Sequence, residues 1–185
     1  MSLFSVHYHS SSRPLRKTNS QLIRCLLTNG PETTIIEASK NGHEDIVKVL
    51  IEKGVDIDTK DDYGCTSLYY AALKGHAELV DLLIENGAEI DIRSNCGGTA
   101  LVQAVFFGHT DIAKTLIDNG ANINVTIHGD TLVNFATKNG YEDLLDHLIY
   151  YGANYDNIKT HNDSCKSHSR FKKWRIKLRN GELRN

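Results

Sequence analysis

No stretch of these 185 residues is apolar for long enough to span a membrane, and the opening residues lack the charged-then-apolar order of a secretory signal. The expectation is an intracellular, cytoplasmic protein. The four cysteines, Cys25, Cys65, Cys96 and Cys165, include no Cys-x-x-Cys pair, and free thiols in a reducing compartment are expected. Catalytic signatures are missing too: there is no glycine-rich phosphate loop, no nucleophile elbow and no His-Glu-x-x-His. Acidic residues are plentiful, but they fall on exposed helix faces and turn tips, where solvated charge is the ordinary state. With no candidate active site and no implied metal or cofactor, the chain reads as a non-enzyme.

A formal charge of only −2 conceals a strong polarity. Residues 21–158 carry 9 basic against 21 acidic side chains, a balance of −12. Residues 1–20 have no acid and a balance of +3, and residues 159–185 have 9 bases against 2 acids, or +7. An acidic body argues against that body gripping nucleic acid.

What the chain does have is a period. Asn-Gly-His at 41–43 returns as Lys-Gly-His at 74–76 and Phe-Gly-His at 107–109, and Asn-Gly-Tyr at 139–141 arrives one residue early. Three more ladders keep the same step and the same late slip: Gly54, Gly87, Gly120, Gly152; Thr33, Thr66, Thr99, Thr131; and Ala38, Ala71, Ala104, Ala136. A fixed period of this size marks a stack of repeated units.

Each unit can be read physically from its second copy, residues 61–93. Asp61-Asp62-Tyr63-Gly64 forms a turn in which Gly64 supplies a positive φ. Thr66 caps a first helix whose buried face carries Leu68, Ala71 and Ala72. Gly75 stops it. A second helix buries Leu79, Val80, Leu83 and Ile84, and Asn86-Gly87 ends it. The first-helix anchors across the copies are Ile35, Leu68, Leu101 and Val133. The second-helix core is Ile46/Val47/Leu50, Leu79/Val80/Leu83, Ile112/Ala113/Leu116 and Leu144/Leu145/Leu148. The alanine ladder lets neighbouring units approach closely. No unit buries its stripe alone, so the stack must form one elongated core.

From about Pro31 to Asp156 the chain resembles the ankyrin repeat family, whose unit is a turn and two helices in 33 residues. The resemblance implies an all-α solenoid of helix-turn-helix repeats with short β-like fingers. The family's Thr-Pro-Leu-His string is degraded to Thr33-Thr34-Ile35-Ile36, Thr66-Ser67-Leu68-Tyr69, Thr99-Ala100-Leu101-Val102 and Thr131-Leu132-Val133-Asn134. Proline and histidine are absent from every copy, which removes a pre-organised first turn and a hydrogen bond. An array less stable than a consensus one is expected.

The organisation is therefore an N-terminal tail (1–20), a capping half-repeat (21–30), repeats at 31–60, 61–93, 94–126 and 127–157, and a basic C-terminal tail (158–185). The resemblance further implies a monomeric protein-interaction module that binds a protein partner through its concave finger and first-helix face. By register that face holds Asp62, Tyr63, Cys65, Tyr70, Leu73 and Lys74; Asn95, Cys96, Phe106 and Phe107; and His128, Asp130, Lys138 and Asn139. Phe106-Phe107 stands out against its polar neighbours. Two adjacent helical residues point about 100° apart, so the core does not readily take both rings. Either Phe106 tucks between units, or the pair forms an aromatic anchor flanked by Tyr63 and Tyr70.

Other groupings point elsewhere. His43, His76 and His109 repeat by translation, so they form a row rather than a converging ligand set, and they read as structural. His161, Cys165 and His168 have ligand chemistry but no fourth partner nearby. Residues 170–179 place Phe171, Trp174 and Leu178 on one helical face, with Lys172, Lys173, Arg175, Lys177 and Arg179 around the rest. Three readings are open for that segment: a cap on repeat four, a ligand for an anionic membrane surface or a partner protein, or a nucleic-acid contact that also allows a nuclear address.

Overall fold

The computed structural model describes residues 30–154. Among these residues eight helices follow one another: α1 (Pro31–Lys40), α2 (Glu44–Glu52), α3 (Ser67–Lys74), α4 (Ala77–Glu85), α5 (Ala100–Phe106), α6 (Thr110–Asp118), α7 (Leu132–Asn139) and α8 (Glu142–Tyr150). Each odd-numbered helix packs on its even-numbered partner to make one unit. Between units, α1, α3, α5 and α7 stack in one layer and α2, α4, α6 and α8 in another. The four helix pairs are thus a solenoid, as the period requires. No helix among the described residues is long and apolar enough to cross a membrane.

Start and stop chemistry recurs in each copy. The hydroxyls of Thr66, Thr99 and Thr131 accept from the backbone N–H groups of Tyr69, Val102 and Asn134, which satisfies one of the free donors at each helix start. The first unit departs from this. Its helix opens three residues earlier, with Gly30 at the cap and Pro31 in the first turn, and Thr33 lies inside the helix with its hydroxyl donated to the Gly30 carbonyl. The expectation that every copy lacks a pre-organised first turn is therefore corrected for this unit, where Pro31 supplies one.

The core runs unbroken through the stack. Ile35 and Leu101 are wholly buried and Leu68 and Val133 nearly so, with Val47, Leu79, Leu83, Leu116, Leu144 and Leu148 beneath them. All four alanines of the ladder, Ala38, Ala71, Ala104 and Ala136, have no exposed surface. Ala104→Leu is expected to overpack the α3–α5–α7 layer and cost about 1–3 kcal/mol. An unchanged midpoint in urea would show that the alanine does not sit at a tight contact.

The fingers differ from one another. The second is a turn in which the Asp61 carboxylate accepts from the N–H groups of Tyr63 and Cys65, with Gly64 at φ 70°. Only the fourth, among the described residues, forms strands: β1 (Thr126–Ile127) pairs antiparallel with β2 (Asp130–Thr131). The late slip in the ladders explains this. Thr99 follows Ala88 by eleven residues, whereas Thr131 follows Ala121 by ten. The shortened finger closes through a two-residue turn, His128-Gly129, with both φ angles positive (49° and 81°), the geometry that matches strand twist in a tight hairpin. Among the described residues the β-like fingers are thus realised as paired strands in the fourth unit alone.

Candidate partner-binding face

The residues singled out from the sequence lie on the first-helix layer and the fingers, and they separate into three groups. The first is locked by internal bonds. Tyr70 donates its hydroxyl to Asp61 Oδ2 at 2.7 Å, and Lys40 Nζ lies 4.4 Å from the Tyr70 ring centre, 2.8 Å from Glu37 and 4.0 Å from Asp61. Burial and the bond to the Asp61 carboxylate push the Tyr70 phenol far above its ordinary range. Burial raises the Asp61 carboxyl, but the Tyr70 hydroxyl, the Cys65 and Tyr63 amides and the Lys40 ammonium outweigh it, and the group stays below its ordinary value. Cys65 is buried at the base of this finger, and that burial, with the Asp61 charge, raises its thiol. Such a thiol is a poor nucleophile at neutral pH. Cys65 and the exposed Cys96 are both free.

The second group links finger to finger. Asn95 donates its backbone N–H to the Tyr63 carbonyl and its side-chain amide to the Asp62 carbonyl, both at 2.9 Å. The Asn95 amide is therefore committed within the protein. Asn139 likewise donates to the Phe135 carbonyl at 2.8 Å, and Lys138 reaches Asp130 at 2.6 Å. Asp62 and Tyr63 remain at the tip, with Tyr63 71% exposed.

The third group is aromatic. Phe106 and Phe107 are 41% and 51% exposed, although each is a large apolar ring. Phe106 packs against the fourth unit and yet stays half-exposed, with Phe107 exposed beside it. Their centroids lie 5.2 Å apart, edge to face. Phe106 also meets His128 edge-on at 5.5 Å and stacks on Phe135 at 5.8 Å. Of the two tyrosines expected to flank the pair, Tyr70 is engaged with Asp61 and Lys40, and the rings gathered around Phe106 come from the fourth unit. Phe135 was missed from the sequence. Its signal was its register, since it holds in unit four the place that Tyr70 holds in unit two. His128 reaches Phe106 from the tight hairpin left by the shortened finger.

Two members of the histidine row, His76 and His109, have a structural job. His76 Nε2 lies 3.4 Å from the Lys40 carbonyl and His109 Nε2 3.2 Å from the Leu73 carbonyl, each in the preceding unit. A carbonyl only accepts, so that ring nitrogen carries the proton in both bridges. The rings also cover the turn glycines: a Cβ on Gly42 would lie 2.8 Å from the His76 ring, and one on Gly75 would lie 2.6 Å from that of His109. Tyr141 takes the same place over Gly108. No group of three or more His, Cys, Asp or Glu side chains among the described residues is arranged to hold a metal ion. His161, Cys165 and His168, and the tail residues Lys172, Lys173, Trp174, Arg175, Lys177 and Arg179, lie outside the described residues, as does the half-repeat up to Asn29.

A family model described as ankyrin repeats (3 copies) matches residues 13–94 and 86–159. The match therefore begins upstream of Pro31, where the resemblance was expected to start. No curated protein matches the chain.

Proposed function

Because the chain belongs to the ankyrin repeat family, whose arrays are generally protein–protein interaction modules, we propose that it is a non-enzymatic module that grips a protein partner on its finger and first-helix face. The observation that carries this reading is the exposed aromatic cluster of Phe106, Phe107, Phe135 and His128. Exposed rings raise no objection singly, but two adjacent half-exposed phenylalanines, backed by a third, place apolar area where it gains free energy only when covered. Interface energy concentrates on rigid anchors of this kind, ringed by polar residues that exclude water. By register the polar neighbours of the cluster are Lys138, paired with Asp130, in the fourth unit and Lys74 in the second.

Phe107→Ala tests the reading. Partners are recovered with the full chain from the cell that makes it, and their affinity is then measured by titration calorimetry. The variant is expected to weaken binding by about 2 kcal/mol, close to thirtyfold. Its melting curve should match that of the parent, because the ring is not part of the core. Equal affinity would remove the cluster from the binding face.

A further inference from the structure

The body's excess of twelve negative charges suggests, at first sight, a basic partner. The placement of those charges says otherwise. Glu78, Asp81, Glu85, Asp111 and Asp118 are exposed on the second-helix layer, behind the helices that carry the aromatic cluster. One helix layer is about 10 Å thick, and physiological salt screens charges over about 8 Å, so the aromatic face is read chiefly through its own charges.

Those local charges are few. Lys40 faces Glu37 and Asp61, Lys138 faces Asp130, and Asp62 is exposed at the tip of the second finger. Lys74 is exposed and makes no ion pair among the described residues. It also sits in a telling place. Lys74 directly precedes Gly75 as Phe107 directly precedes Gly108, so the two occupy the same position in successive units. Stacked helices of neighbouring units lie about 8–10 Å apart.

That step selects a ligand geometry. Seven residues of helix advance about 10.5 Å and return to the same face after two turns. An extended chain covers the distance in about three residues, which leaves the two side chains on opposite faces. Resting on the binding reading above, we propose that the partner element is an amphipathic helix laid along the stack. It presents an apolar side chain to Phe106 and Phe107, and a carboxylate seven positions away to Lys74.

The test uses displayed random peptides long enough for four helical turns, selected on the full chain. The selected peptides are then titrated against the parent, Phe107→Ala and Lys74→Glu. The expected sequences pair Leu, Met, Phe or Trp with Asp or Glu at seven-residue spacing. Phe107→Ala should weaken them at least tenfold. Lys74→Glu should weaken them about two- to fivefold, the scale of one exposed ion pair, and peptides with the acid changed to lysine should recover the loss. If Phe107→Ala abolishes binding while Lys74→Glu has no effect, or if basic peptides are selected, the acidic-helix inference falls and the aromatic face stands. If the selected peptides ignore Phe107→Ala, or none can be selected, both fall.

Discussion

Replacing Leu101 by alanine is expected to lower the unfolding free energy by about 2–5 kcal/mol, the range for a leucine deleted from a core that cannot collapse around the loss. Leu101 has no exposed surface and anchors α5 at the middle of the array. Domains of this size have about 5–15 kcal/mol in total, so a large share of the margin would go. Urea unfolding followed by circular dichroism measures it directly. A loss below about 1 kcal/mol would mean that the side chain is not where the stack is held. If the slope of the transition also falls, the units are separating, because a solenoid whose interfaces weaken ceases to unfold as one.

The second large effect is expected from Gly75→Ala, at about 2–4 kcal/mol. Two costs combine. Gly75 caps α3 at φ 80°, a conformation that charges any residue with a Cβ about 1–2 kcal/mol. The new Cβ would also lie 2.6 Å from His109 Cε1 and 2.8 Å from Nδ1, so the imidazole must move off the Leu73 carbonyl and lose a bond between units. The double variant Gly75→Ala/His109→Ala separates the costs. It should be less destabilised than the sum of the two single changes, since the clash exists only when both side chains are present. Strict additivity would show that the ring yields freely and that only the backbone conformation matters.

The fold was legible because its signals are local and repeat. One threonine that caps a helix is a weak sign, but Thr66, Thr99 and Thr131 at equivalent places leave little freedom, and each makes the expected bond. The alanine ladder was legible for the same reason, since a small residue at a fixed place four times over marks a close approach. The first unit was misread because Thr33 keeps the ladder while Pro31 decides where the helix begins. Register does not reveal which of two competing start signals wins.

The aromatic face was only half legible. Phe106 and Phe107 were conspicuous as neighbours, but which rings surround them depends on the path of the finger between units. Ten residues in place of eleven send the chain through a two-residue turn, and that turn aims His128 at Phe106. The slip was plain in the ladders. Its consequence for a side chain some twenty residues away was a matter of three-dimensional geometry, which no periodicity contains. The internal contacts of Tyr70 were illegible for a related reason: the sequence shows a ring on the face, but not that its hydroxyl binds Asp61 or that Lys40 lies over the ring.

The bonds that tie unit to unit are all of short reach. Asp58 accepts from the Glu89 amide and Asp91 from the Asn122 amide, His76 and His109 bridge to the carbonyls of the unit before, and Tyr151 donates to Asp118. Each spans about one repeat, and among the described residues none skips a neighbour. Under tension applied at its two ends such a chain has no clamp that all the load must break at once. It should yield in steps, one helix pair after another, each releasing a similar length of polypeptide at modest force, and it should rewind by the same route when the load is removed. The array is in that sense expected to act as an extensible tether, compliant along its axis while the units that remain wound stay folded.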